Sequence, residues 1–269
     1  ADLDAAQHSI CVLYYIWLDD TTGTAVAHAL MRAAQRGVVC HAMVDGLGSR
    51  ALTNSQLWQA LAQAGVHTRV ALPLRHMLRV LLRSRIDLRN HRKITLIDGR
   101  ILHVGSQNCA DEAFAVKAKY APWVDIMLRM QGPAVTQMQW VFASDWSNAS
   151  GGERIPQSNP STSVPNPITP DAFNATSSTA RSASLGATLD TSPATADTPS
   201  STGFIAVTLA EGPTERPRST PQLIASLLGS AQHSVTLSTP YFIPDVTVLD
   251  ALCTAAWRGV AVTLVLPAR

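Results

Sequence analysis

Apolar residues in this chain fall into short runs separated by polar turns, and the runs alternate between two kinds of periodicity. Residues 10–18 form the longest of them. At nine residues it is too short to cross a bilayer, and it reads as a buried strand. Strands are likewise expected at 39–44, 66–71, 93–97, 101–104 and 124–130. Helical spacing appears at 25–35, 55–64 and 133–146, where Pro133 suits a first helical turn. Strands and helices alternating at this length predict an α/β layered domain, a mixed sheet flanked by helices. Residues 74–85, after Pro73, have Leu74, Leu78, Leu81 and Leu82 on one face. They predict an amphipathic helix that either packs on the core or dips into a membrane surface.

The pattern repeats. Ala6-Gln7-His8-Ser9 recurs as Ala231-Gln232-His233-Ser234, and Arg36-Gly37-Val38 recurs as Arg258-Gly259-Val260. In both places a strand, a helix and a second strand follow in the same order, so the chain holds a β-α-β unit twice. Between the copies, more than half of residues 156–202 are Ser, Thr or Pro, with Phe173 the only aromatic. Such a composition buries too little apolar area to offset its ordering entropy. The expected organisation is a first half at 1–146, a disordered linker at 147–203 and the start of a second half at 204–269.

Composition adds little until its distribution is considered. The 269 residues are 46% hydrophobic and 15% charged, with a formal charge of +2. Yet Arg75, Arg79, Arg83, Arg85, Arg89, Arg92 and Lys93 lie close together against the single acid Asp87. This run fits an anionic partner, either phospholipid headgroups or a nucleic-acid backbone, or else a solvated helix face. The four cysteines have no metal-ligand spacing, and Cys11 and Cys40 read as small buried hydrophobes.

The chemistry is concentrated at 91–108. His91, Lys93, Asp98, Gly105, Ser106 and Asn108 form H-x-K-x4-D-x6-G-S-x-N. Chance produces that register with odds on the order of one in 10⁵, which excludes coincidence. His91 and Lys93 lie two apart on a strand, so they share a face. A neutral imidazole is a nucleophile available near neutral pH. Lys93 can hold phosphate oxygens as a point charge, Asn108 can donate its amide N–H to them, and Ser106 can add a hydroxyl. A metal site from His91, Asp98 and His103 is the rival, but Lys93 would repel a cation there. No cofactor is called for.

These residues carry the signature by which the chain resembles the phospholipase D superfamily. Further motifs resemble the bacterial cardiolipin synthases: Arg89 to Lys93, Asp45 to Arg50, Trp123-Val124-Asp125, Gly132 to Val135, Asp145-Trp146, and Thr239 to Asp245. The resemblance implies an enzyme at the bacterial inner membrane that joins two phosphatidylglycerols into cardiolipin and releases glycerol. It implies a phosphatidyl-histidine on His91, a second histidine motif facing the first, and a carboxylate at Asp125 that orients the nucleophile. Asp98 belongs to the signature but reads as structural rather than as a proton carrier. The repeat offset of 222 residues puts the partner of His91 at 91 + 222 = 313, past Arg269. The second half is therefore expected to be only begun, its motif supplied in cis from beyond this stretch, and the chain alone to be nearly inactive.

Two other functions fit parts of the pattern. A phosphodiesterase of the same superfamily acting on nucleic acid needs one motif per chain and would use the arginines along a phosphate backbone. Few aromatics accompany the basic run, however, and the second repeat is superfluous there. The remaining alternative is an inactive fragment that only binds anionic lipid.

Overall fold

The computed structural model describes residues 1–73, 89–114, 124–155, 203–204, 206, 208–212, 219–239 and 241–267. The chain divides into a unit of Ala1–Pro156 with Thr208–Arg269 and a unit of Gln157–Val207, which lies almost wholly outside the described residues. The amphipathic helix expected at 74–85 and most of the expected linker are outside them too.

Among the described residues the first elements are α1 (Asp2–Ala5), β1 (Ser9–Tyr14), α2 (Thr21–Gln35), β2 (Val39–Asp45), α3 (Arg50–Thr53), α4 (Gln56–Gln63) and β3 (His67–Ala71). Next come β4 (Lys93–Ile97), β5 (Ile101–Gly105), β6 (Met127–Met130) and α5 (Pro133–Ser150). One six-stranded sheet runs β3-β2-β1-β4-β5-β6. β1, β2 and β3 are mutually parallel, and β4, β5 and β6 continue the sheet antiparallel. The mixed α/β sheet expected from the sequence is the one observed.

Both faces of the sheet are covered, which is why β1 and β2 are apolar at successive positions rather than alternating. Ile10, Val12, Tyr14, Cys40, Ala42 and Val44 face Leu30 of α2 and Leu61 of α4. Leu13, Met43, Ile94, Leu96 and Leu102 face Val135, Phe142 and Trp146 of α5. Helix starts are set locally. Asp20 accepts from the N–H of Gly23 at 2.8 Å, so α2 begins at Thr21, four residues before the apolar spacing suggests. Ser55 caps α4 in the same way. α5 runs to Ser150, four residues beyond the expected end, and Glu153 then pairs with Arg69. β6 starts three residues later than the apolar pattern predicts, with Val124 and Asp125 exposed.

The second copy of the repeat contains α6 (Ser219–Ser230), β7 (Ser234–Ser238), α7 (Val246–Trp257) and β8 (Ala261–Val265). β7 and β8 are parallel, like β1 and β2. The likeness extends to single bonds. Arg36 donates to the carbonyl of Ala6, and Arg258 donates to that of Ala231. The N–H of Val39 bonds the His8 carbonyl at 3.0 Å, and that of Ala261 bonds the His233 carbonyl at 2.9 Å. The Arg-Gly-Val turn has φ of 88° at Gly37 and 87° at Gly259.

Candidate active site

The motif lies on and around β4 and β5, but its members do not all reach one place. Asp98 follows the last residue of β4 and accepts from the backbone N–H groups of Gln7, His8 and Ser9 at 2.9, 2.7 and 2.9 Å. It fastens the entry to β1 at one end of the strand, with Lys93 at the other, roughly 17 Å away at strand rise. Burial by itself would raise the Asp98 carboxyl, but the three N–H bonds outweigh it and hold its pKa below the usual 3.8. Its stabilisation is therefore complete above the ordinary carboxylate pKa and is lost as the pH falls through the lower folded-state value. Asp98→Ala should cost about 1–3 kcal/mol at pH 7. Urea melts across pH should show that cost shrinking in acid.

At the other end of β4, the backbone around His91 is gripped from two sides. Arg89 donates through Nε to both oxygens of Asp45, at 3.0 and 3.2 Å, and through its terminal nitrogen to the Leu72 carbonyl. The N–H of Asn90 also bonds Asp45, at 3.1 Å, while its side-chain amide donates to Asp145 at 2.9 Å. Arg92 donates to both Asp145 oxygens at 2.8 Å. Asp45 and Asp145 are buried, at 0% and 4% exposed. Two arginines of the basic run are thus turned inward as structural partners. The charge pattern alone fits an anionic partner or a solvated helix face, and Arg89 and Arg92 instead bond buried carboxylates. Arg75, Arg79, Arg83 and Arg85 lie outside the described residues.

Between these clamps His91 is exposed to solvent on one side and lies flat on Tyr15 on the other, ring centroids 3.9 Å apart and planes 21° apart. Partial burial lowers the pKa of the imidazole, and the charge of Lys93 lowers it further, against an opposing pull from Asp45. The ring is held in its neutral form near neutral pH. Lys93 Nζ donates to the His91 carbonyl at 2.6 Å and stands 5.5 Å from the centre of the Tyr15 ring. Burial also lowers the Lys93 pKa, with Asp125 opposing it.

β5 brings the other residues to this end. Asn108 accepts from the Ile16 N–H through Oδ1 at 3.1 Å, which fixes the amide so that Nδ2 is its remaining donor. The Ser106 hydroxyl donates to Asp125 at 2.7 Å and accepts from the Ile126 N–H at 3.0 Å. Ser106 therefore splices β5 to the segment leading into β6, and Asp125 bonds Ser106 rather than His91. A Cβ on Gly105 would run into the Ile126 carbonyl, so this glycine admits the neighbouring chain. A cleft of about 210 Å³ opens here, lined by His91, Lys93, Val104, Met138, Leu209 and Glu211 among others. His103 is elsewhere, bonded to Asp2 at 2.8 Å. The rival grouping of His91, Asp98 and His103 is not assembled.

Sequence reasoning missed Tyr15, hidden in an apolar run, as well as Asp45 and Asp145 as clamps. The Asp45 to Arg50 and Asp145-Trp146 motifs were the available signals.

A histidine and a lysine at one end of a mixed sheet, with an asparagine amide at the same end, define a phospholipase D-like domain. The family description "Cardiolipin synthase, PLD-like domain" matches residues 1–146 and 224–269, and the chain belongs to that family. It is 33% identical to cardiolipin synthase A of Citrobacter koseri and to that of Salmonella arizonae. The alignments cover 99% of this chain and 48% of each relative. The chain thus spans about half the length of these curated relatives. Among solved structures, phosphatidylserine synthase of Haemophilus influenzae matches with a TM-score of 0.58 at 12% identity, over 98% of this chain and 57% of that one. Polyphosphate kinase of Porphyromonas gingivalis matches at 0.51 and 14% identity, over 97% and 33%. These two likenesses concern the fold alone. No helix among the described residues is long and apolar enough to cross a membrane.

Proposed function

We propose that this chain carries one catalytic half of a cardiolipin synthase-type phosphatidyltransferase, which joins two phosphatidylglycerols and releases glycerol. The observation that carries this reading is a His91 imidazole whose pKa is lowered, beside the Lys93 ammonium, in a chain of the cardiolipin synthase family. His91 attacks the phosphorus of the first lipid. Lys93 and the Asn108 amide stabilise the charge that grows on the nonbridging oxygens. Glycerol departs with a proton from the histidine of a second motif half, provided in cis. A hydroxyl of the second phosphatidylglycerol then attacks the phosphohistidine and returns that proton to the same histidine. Asp125 acts through Ser106 and on the Lys93 charge. The substrate is anionic lipid at the bacterial inner membrane surface.

The test is to give the complete gene product phosphatidylglycerol vesicles and, separately, single-stranded DNA, over a salt series. Cardiolipin and glycerol in equal amounts are expected. Cleavage of the DNA would replace this reading with the nuclease one, and phosphatidic acid as the sole lipid product would replace transfer with hydrolysis.

A further inference from the structure

Three groups bear on how the ring of His91 could be held. Asp125, the carboxylate that the family resemblance assigns to orienting the nucleophile, bonds Ser106. Lys93 bonds the His91 backbone carbonyl. Tyr15 alone among them lies against the imidazole face, 3.9 Å away and nearly parallel.

Tyr15 is itself firmly placed. Its carbonyl accepts from the Ser49 hydroxyl at 3.0 Å, and that hydroxyl in turn accepts from the Trp17 N–H at 2.9 Å. Gly48 packs so closely that a Cβ there would strike both the Tyr15 carbonyl and its ring. The next residue, Ile16, is held by Asn108. The turn that supplies Asp45 to the backbone of the motif thus also supplies Gly48 and Ser49 to Tyr15.

We propose that Tyr15 is a positioning residue for His91, its ring setting the plane in which the imidazole presents its nucleophilic nitrogen. This rests on the reading of His91 as the nucleophile. An imidazole free to turn about its side-chain bonds would seldom meet the phosphorus in line, and a misplacement of about 1 Å can cost about 10²-fold in rate. The stack also keeps water from one face of the ring, which favours the uncharged form. Among the described residues the other charged groups around His91 are Lys93 on β4, Asp45 at the end of β2, Arg89 and Arg92 before β4 and Glu211 on the cleft wall. Both Tyr15 variants retain all of them, and of these Lys93 also stands 5.5 Å from the centre of the Tyr15 ring.

The test compares wild type, Tyr15→Leu and Tyr15→Phe in the complete gene product. The His91 imidazole is titrated by NMR, its signal assigned by its loss in His91→Asn, and kcat and KM for phosphatidylglycerol are measured across pH. In Tyr15→Leu the titration midpoint should rise toward the ordinary histidine value, moving the acid limb of the rate profile to higher pH. At its optimum kcat should fall about 10- to 100-fold with KM within about twofold. Tyr15→Phe, which keeps the ring, should restore both. A midpoint in Tyr15→Leu equal to wild type would overturn the proposal, as would failure of Tyr15→Phe to rescue, which would assign the work to the hydroxyl. The NMR titration does not depend on which substrate is turned over. A protein inactive on phosphatidylglycerol but showing the midpoint shift would defeat the proposed function and not the pairing of Tyr15 with His91.

Discussion

His91→Asn is expected to abolish both turnover and the covalent lipid adduct, the largest effect of any single substitution in this protein. Asparagine keeps a polar side chain of similar reach but has no nitrogen that can take a phosphoryl group. When the nucleophile is removed, loss by several orders of magnitude is the rule, because the members of a catalytic unit act together. Lys93→Ala should also cripple turnover, for a different reason. It removes a charge whose value grows as the phosphoryl oxygens gain charge, worth about 3–4 kcal/mol for comparable donors. Asp125→Asn should fall between these and wild type. The check is to trap the complete gene product with labelled phosphatidylglycerol, quench in alkali and map the label. Label retained in His91→Asn on the histidine of the other motif half would reverse the roles and make His91 the acid that protonates glycerol.

The second large effect is on stability. Asp45→Ala is expected to cost about 3–5 kcal/mol, the range for removing one partner of a buried ion pair. Asp45 is 0% exposed and the Arg89 side chain 6%. The N–H groups of Leu47, Gly48 and Asn90 also converge on the same carboxylate. Alanine would strand a buried guanidinium and three backbone donors together. Replacing Arg89 by Met in the same chain should recover only the charge part, since the three N–H groups would still lack their acceptor. Denaturant melts of the single and double variants measure both quantities. A loss below about 1 kcal/mol for Asp45→Ala, the scale of an exposed pair, would show that water enters this clamp.

What the sequence made legible here is what it encodes at short range. The parallel β1–β2 unit and its second copy follow from local periodicity and a repeated tetrapeptide, and β4 was placed to the residue because polar turns bound it on both sides. The fixed register brought His91, Lys93 and Asn108 to one end of the sheet. The partners of the motif were out of reach for a physical reason. Asp45 is 44 residues from Arg89, and Asp145 is 53 from Arg92. A pattern of charges along a chain does not distinguish an arginine aimed at solvent from one folded onto a distant buried carboxylate. Tyr15 was hidden for another reason. In a run apolar at every position, nothing local marks the ring that passes the end of β1 and turns toward a histidine.

The placement of Asp98 gives the motif a further meaning. The four residues between Lys93 and Asp98 are the strand itself, so the spacing is a ruler laid along β4. At one end of that ruler is the reacting group, and at the other a knot of three backbone bonds. Side chains along it can be exchanged for others of similar volume at modest cost. Its length cannot change. One residue added between Thr95 and Leu96 would reverse every facing beyond the insertion and pull either His91 off its clamps or Asp98 off its knot. For anyone diversifying this domain, residues 94–97 are open to substitution at similar volume and closed to insertion, and a library that varies loop lengths should leave 91–98 out.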